Sequence, residues 1–398
     1  MKAFFLFLSV LTSLLGFIYY YSTFRLISGL SLNGPVVTLV LLGIGILVLL
    51  VPLTYALSRM SKREKMQTFF AYVTFTNFGF FSILFTLVLL MDLLRLVDLG
   101  IITSYSQILF SSLVQFGFPL DGVSEVKNFS LAFSTIVAAT ALSSLGFFNA
   151  HVRLQYKRVS VPAKDLHPDL VGFKIVQISD VHIGPTIKGK FLERVVKRIN
   201  LQKPDVVVIT GDLVDGPVTT LKHHLKPLGN IQSKYGTFYV TGNHEYYSGV
   251  LSWLPEIQKL GVNILLNENQ ILSVGKSKLL LAGVTDLSAG KIIRSHETNP
   301  KKALEGGEGC DYKILLAHQP NSIYEASEAG FNLQISGHTH GGQFFPGNIL
   351  IYFAQKFVSG LHKYKKSLIY VSRGTGYWGP PFRLGAPSEI SILELTAT

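Results

Sequence analysis

The sequence predicts an all-α membrane region followed by an α/β sandwich with mixed sheets. Three observations carry this expectation. Long uncharged apolar runs recur up to residue 150. From about residue 170, short apolar strands alternate with amphipathic helices and then follow one another more closely. Beyond the ends of five of those strands stand aspartate, histidine and asparagine. The composition agrees, because 48% of the 398 residues are hydrophobic and 15% charged, where a soluble domain holds about 25% charged residues. That balance excludes a disordered chain, a coiled coil and a collagen.

In the first region, residues 3–21, 36–57, 69–91 and 129–150 carry no charged side chain. Each is long enough to cross about 30 Å of hydrocarbon. The first run, behind Lys2, has the length of a signal peptide. More apolar runs follow it and no small-residue cleavage site is evident, so it reads as a retained helix. A fifth uncharged stretch, 99–120, carries Ser104, Ser106, Gln107, Ser111, Ser112 and Gln115. Those polar groups favour an interfacial or re-entrant helix over a fifth span.

Charge then gives an orientation. Arg59, Lys62, Arg63 and Lys65 follow the second run, and Arg153, Lys157, Arg158 and Lys164 follow the fourth. With four spans both basic segments and both termini face the cytoplasm, as the positive-inside rule prefers. The expected layout is a membrane region over 1–150, a basic juxtamembrane linker over 151–169 and a catalytic domain over 170–398. Residues 1–150 hold 8 Lys/Arg against 5 Asp/Glu, and residues 151–398 hold 28 against 19. A basic domain beside a membrane favours anionic lipid heads and phosphates. The single cysteine, Cys310, rules out an internal disulfide.

In the second region, 173–179 (FKIVQIS) and 205–210 (DVVVIT) read as strands, and 190–202 has helical spacing stopped by Pro204. Further strands are expected at 237–241, 278–284, 312–317, 331–336, 368–372 and 389–395. Helices are expected near 219–229, 250–260 and 320–329.

The polar residues of interest sit where those strands end: Asp180-Val-His182, Gly211-Asp212-Leu-Val-Asp215, Gly242-Asn243-His244-Glu245, the lone His318, and Gly337-His338-Thr339-His340-Gly341-Gly342. In open α/β sheets ligands bind beyond the carboxyl ends of strands. One such motif alone is weak: Asp165-Leu-His167 repeats D-x-H before Pro168, follows no apolar strand and reads as a surface turn. The order and strand context make the set specific. No thiolate is available, which excludes a structural zinc finger and an iron–sulfur cluster. Carboxylate, imidazole and amide ligands suit Mn, Fe, Zn or Mg. Seven ligands exceed one tetrahedral ion, and two ions about 3.5–4 Å apart, bridged by a carboxylate, would use them all.

D-x-H, G-D-x-x-D, G-N-H-E, a lone His and G-H-T-H in this order resemble the calcineurin-like metallophosphoesterase superfamily over about 170–398. SGHTHGGQ (336–343), YVSRGTG (370–376) and PSEISILEL (387–395) are similar to its membrane-associated bacterial branch, which includes phosphodiesterases and UDP-diacylglucosamine pyrophosphatases. The resemblance implies a two-sheet α/β sandwich holding two divalent ions, Mn²⁺ first, with Zn²⁺, Fe²⁺ or Mg²⁺ as alternatives. It gives one ion Asp180, His182, Asp212 and His340, and the other Asp212, Asn243, His318 and His338. His244 becomes the acid or transition-state stabiliser, and Glu245, where many relatives have Asp, orients His244 or a neighbour. Asp215 reads as a helix N-cap or as a second layer behind the ligands, the former slightly favoured. Arg373, in the SRG turn, is a candidate phosphate binder.

The expected function is therefore a membrane-anchored phosphodiesterase or pyrophosphatase of the inner membrane. Its substrate would be an anionic, lipid-linked phosphoester such as UDP-diacylglucosamine, and its partners membrane lipids. No basic–aromatic motif tracks a nucleic acid strand, so nucleic acid is not expected. The competing reading is a transporter or sensor with a regulatory phosphoesterase domain.

Overall fold

The computed structural model describes residues 2–30, 32–61, 63–97, 100–115 and 122–398. The chain divides into two units, Met1–Phe147 and Phe148–Thr398.

The first unit is built of helices: α1 (Lys2–Leu30), α2 (Gly34–Met60), α3 (Glu64–Leu96), α4 (Ile101–Gln115) and most of α5 (Val123–His151). Among the described residues, Gly34–Ser58, Glu64–Leu96 and Val123–His151 are long and apolar enough to cross a membrane. The run at 3–21 lies on α1, and its side chains up to residue 11 fall outside the described residues. The uncharged stretch 99–120 contains α4, whose 15 residues rise about 22 Å. Residues 99 and 116–120 lie outside the described residues. Asn33 starts α2 by accepting from the Val36 N–H at 3.2 Å. Sparse polar contacts join these helices. Thr54 and Thr74 meet at 2.6 Å, Asn77 donates to the Leu47 carbonyl at 3.0 Å, and Arg25 Nε donates to Asp92 at 2.9 Å.

The second unit contains β1 (Leu154–Ala163), β2 (Lys174–Ile178), α6 (Gly189–Asn200), β3 (Val206–Thr210), α7 (Val218–Leu221), β4 (Thr237–Val240), α8 (Asn243–Tyr247), α9 (Val250–Gln258) and β5 (Val262–Ile264). It continues with β6 (Glu268–Val274), β7 (Ser277–Gly283), α10 (Pro300–Leu304), β8 (Tyr312–Leu316), α11 (Ile323–Ala329), β9 (Leu333–Ser336), α12 (Gly347–Ala354), β10 (Gly360–Tyr364), β11 (Ser367–Val371) and β12 (Ser388–Ala397). One six-stranded sheet has the order β1-β12-β2-β3-β4-β5 and the other β10-β11-β9-β8-β7-β6. Both are mixed: β2 to β5 run parallel while β12 is antiparallel to β2, and β7, β8, β9 and β11 run parallel between two antiparallel edges.

Unbroken apolar runs make the inner strands because both faces are buried. Ile175, Val206, Val208 and Phe238 of the first sheet pack on Leu279, Ile314, Leu333 and Ile335 of the second. The first sheet's outer face, through Val176, Ile178 and Ile209, meets Leu192, Val195 and Ile199 of α6 and Trp253 of α9. Leu280, Ala282 and Leu315 of the second sheet meet Ala303 and Ala326 of α10 and α11. The result is the expected two-sheet sandwich with helices outside.

Two sequence expectations need correction. Residues 154–163 lie in the stretch read as a linker, yet they form β1, paired in parallel with β12 from Leu154–Ser388 to Ala163–Ala397. Val161 and Ala163 enter the core while Lys157, Arg158 and Ser160 face solvent. The basic residues belong to an edge strand, where Pro162 is also tolerated. The helix expected over 219–229 opens as α7 and continues as a 3₁₀ segment, Lys222–Asn230, with Pro227 inside it. Proline lacks the N–H donor that an α-helix interior needs.

Candidate metal centre

The five loops converge because the two sheets are joined where their strands end. Gln177, fully buried, donates to Thr210 Oγ1 of the first sheet at 2.7 Å and to the Ser336 carbonyl of the second at 2.8 Å. The chain then turns sharply. Asp180, His182, Asp212, His338 and His340 have φ of 53°, 52°, 51°, 72° and 52°, a left-handed conformation that side chains rarely adopt. Each such residue costs about 1–3 kcal/mol, and strain of this kind gathers at functional sites. Gly211, at φ 83°, allows a close approach, since a Cβ there would lie 2.7 Å from His318 Nδ1.

Two trios result. Ligand atoms of Asp180, His182 and His340 lie within 4.8 Å of one another, and so do those of Asp212, His318 and His338. In the first trio, His182 Nε2 is 3.1 Å from His340 Nε2, which is 3.5 Å from Asp180 Oδ1. In the second, His318 Nε2 is 3.2 Å from both Asp212 Oδ2 and His338 Nδ1. Asp212 Oδ2 also stands 3.8 Å from His182 Nε2, so this carboxylate lies between the trios. Backbone bonds hold the set in place. The His338 N–H donates to Asp180 Oδ1 at 3.0 Å, His318 Nδ1 faces the Thr210 carbonyl at 2.8 Å, and the His244 N–H donates to Asp212 Oδ1 at 2.9 Å.

Burial pushes His182 and His338 down to about 4, and it lowers His340 as well, aided by the Arg383 charge. These imidazoles are neutral near pH 7 and carry free lone pairs. Burial raises Asp180 to about 6. Burial opposes ionisation of Asp212 too, but His318 beside it holds the carboxyl well below its usual range. The same contact lifts His318 far above the ordinary histidine value against the effect of its own burial.

The residues fit a pair of metal ions. Asn243 Oδ1 is buried and has no hydrogen-bond partner, as does His182 Nδ1. Two pairs of ring nitrogens face each other near contact distance, and the donor set contains only oxygen and nitrogen.

Residues 173–342 match the family described as Calcineurin-like phosphoesterase. The chain is 40% identical over 273 residues to a transmembrane protein with metallophosphoesterase domain from Bos taurus, covering 66% of this chain and 62% of that protein. It is 39% identical over 274 residues to an uncharacterized metallophosphoesterase of Campylobacter jejuni, covering 66% of this chain and 68% of that one. The chain belongs to the calcineurin-like phosphoesterase family. A Bacillus subtilis metallophosphoesterase, uncharacterized, is 30% identical over 278 residues, covering 66% of this chain and 94% of its own length. The chain thus spans about 62% of the bovine relative. Members of the family bind a dinuclear metal site.

Within this calcineurin-like site some roles differ from those read in the sequence. Asp215 is no N-cap, since Pro217 holds that position; its Oδ1 lies 3.2 Å from His244 Nδ1. Burial lowers the His244 pKa, but the Asp215 hydrogen bond together with the charges of Asp212, Asp215 and Glu245 outweighs it, and the net shift is upward. Glu245 does not touch His244. Fully buried, it accepts the backbone N–H groups of Asp212, Leu213, Val214 and Gly242 at 2.6–3.2 Å. It therefore shapes the loop that carries Asp212. Burial, then the Asp212 charge, raises its pKa to about 7. Arg373 is half-buried, its stem beside Gly341, and no polar contact of its guanidinium is present among the described residues. Asp165 and His167 take no part, and His167 Nδ1 caps the Asp169 N–H at 3.2 Å.

Sequence reasoning missed Arg383. It is fully buried and donates to the carbonyls of Gly376, His340, Arg373 and Ala386, and its Nη2 lies 3.0 Å from His340 Nδ1. The buried guanidinium packs against this face of the ring, so Arg383 helps fix how His340 is turned. Only the separation of PPFRLGAP from the GHTH turn concealed it.

Proposed function

We propose that the chain is a membrane-anchored, dinuclear-metal-dependent phosphoesterase that hydrolyses phosphodiester or pyrophosphate bonds of a lipid-linked substrate. The observation that carries this reading is the pair of Asp/His trios flanking Asp212, with the partnerless Asn243 Oδ1 beside them. Asp180, His182 and His340 would hold one ion and Asn243, His318 and His338 the other, Asp212 would serve both, and Mn²⁺ is the first candidate. Bound there, the ions supply Lewis acidity toward phosphate oxygens and lower the pKa of a coordinated water.

The chain's own residues do the rest. His244, held by Asp215 and biased toward its protonated form, donates a proton to the leaving oxygen. Arg373, beside the GHTH turn, binds a phosphate oxygen. Trp378 and Tyr247, both exposed, lie with ring centroids 5.5 Å from His244 and border the leaving-group side. The basic segments behind the second and fourth apolar runs support a cytoplasmic catalytic unit.

The test is a hydrolysis screen of the purified full chain, stripped of metal and reloaded with Mn²⁺, Zn²⁺, Fe²⁺ or Mg²⁺, on soluble and lipid-linked esters. No turnover with any ion and any ester would overturn the reading. A reporter active only outside the cytoplasm, fused after Thr398, should stay silent; activity there would reverse the orientation.

A further inference from the structure

The GHTH turn leads into an apolar helix whose large side chains stand exposed among the described residues. The 3₁₀ turn His340–Gly342 is followed by α12, whose sequence is GNILIYFA. None of its residues is buried, and Ile349, Leu350, Tyr352 and Phe353 are 54%, 58%, 65% and 87% exposed. By contrast α6, α9 and α11 each bury an apolar face. Four large apolar side chains left largely in water on two helical turns forgo much of the stabilisation that burial would give. Such ridges mark interaction surfaces.

The ridge is tied to the mouth of the metal centre. Gln343 Nε2 donates to the carbonyls of Trp378 and Pro380 at 2.9 Å, and Gln343 Oε1 accepts the Trp378 N–H at 2.9 Å. Trp378, 52% exposed, rests against His244, so the loop that leads into α12 is tied through Gln343 to the side of the candidate acid.

The flank of the ridge is basic. Lys356 follows α12, with its Nζ 5.6 Å from the Phe357 ring and 5.7 Å from the Tyr364 ring. Tyr364 ends β10, and the hairpin there exposes Lys363, Lys365 and Lys366. Glu328 is the acid seen there, 3.5 Å from Lys365. Apolar and aromatic side chains beside lysines are what the headgroup–acyl boundary accepts. Lysines near an anionic bilayer add electrostatic attraction to that apolar contact. A bilayer is also a constant neighbour, because three helices of this chain are long and apolar enough to cross one.

We infer that α12, Trp378 and the β10–β11 turn form a docking surface for an anionic bilayer. Docked there, the mouth of the metal centre meets phosphoesters that reside in the membrane. That consequence rests on the phosphoesterase reading; the docking itself does not.

The experiment separates the two. Cys310 is the only cysteine and is buried, so a Cys310→Ser, Tyr352→Cys chain takes an environment-sensitive fluorophore on the ridge alone. In nanodiscs containing phosphatidylglycerol the probe should shift to the blue and be quenched by brominated acyl chains. Adding Leu350→Ser and Phe353→Ser should abolish the quenching. The same pair should lower hydrolysis of a nanodisc-embedded phosphodiester by about tenfold or more, since removing over 1.4 kcal/mol of burial costs that factor. Hydrolysis of a soluble nitrophenyl ester should stay near the native rate. Equal probe emission with brominated and plain lipid overturns the docking, and so does quenching that disappears on dilution of the protein, which would mark a self-interface. Equal loss on both esters overturns the link to substrate. If the native chain hydrolyses neither ester while the probe is still quenched, the phosphoesterase reading fails and the docking stands.

Discussion

The helical unit and the α/β unit use buried polar groups in opposite ways. Behind the metal ligands, buried polar side chains are fixed by several partners: Glu245 by four backbone N–H groups, Arg383 by four carbonyls and an imidazole. Between the helices, polar contacts are fewer: Thr54 meets Thr74, Asn77 reaches the Leu47 carbonyl, and one cluster gathers Tyr21, Arg25 and Arg95 on Asp92. The difference has a physical source. An unpaired polar group in the α/β interior gives up water with no return, so partners must be dense. Helices in lipid satisfy their backbone internally and need only occasional polar links. Deletions in the first unit should therefore be mild, and deletions near the metal centre severe.

The largest effect should come from Asp212→Ala. Removing the carboxylate between the two trios should reduce hydrolysis to background and lower bound metal, measured by elemental analysis. Near-native turnover with two ions per chain would break the assignment. His244→Ala should follow, slowing hydrolysis by roughly 10²–10⁴ with metal content intact. The loss should shrink for good leaving groups, and equal losses for nitrophenyl and alkyl esters would instead mean positioning. Arg383→Met should weaken metal binding by about 10–100-fold, the usual range when a ligand loses the group that orients it. Competitive chelator titration measures this, and unchanged affinity would remove Arg383 from the site's support. Thr54→Val should cost only about 0.6 kcal/mol, the average for interhelical hydrogen bonds in membranes. Steric-trap unfolding in bicelles can resolve that value, and a loss above 2 kcal/mol would sink the contrast between the units.

All eight expected strands of the α/β unit are present, because central strands announce themselves as unbroken apolar runs. The residues beyond their ends were legible for the same reason: once a strand is placed, its loop is placed. Side-chain pairings across distant loops were not. Asp215 and His244 lie in different loops, and nothing local distinguishes an N-cap aspartate from one that holds a histidine. β1 was hidden by Lys157 and Arg158, which mimic a linker on an edge strand. α12 was hidden because ILIYF lacks the polar face by which an amphipathic helix is recognised.

The position of β12 constrains how the protein is made. It lies between β1 and β2, although it follows every other strand in the chain. On a translating ribosome β1 emerges soon after α5 and well before β12, its partner among the described strands. At about 5–20 residues per second, the wait lasts roughly 10–45 s. For that interval β1 is a strand with open hydrogen-bonding groups. Lys157, Arg158 and Pro162 are suited to this wait, since charge and a missing N–H discourage pairing with the wrong neighbour. Arresting synthesis before Ser388 should leave residues 154–163 open to protease, whereas release of the full chain should close them. The first sheet is thus completed at its second position, by the last strand to arrive.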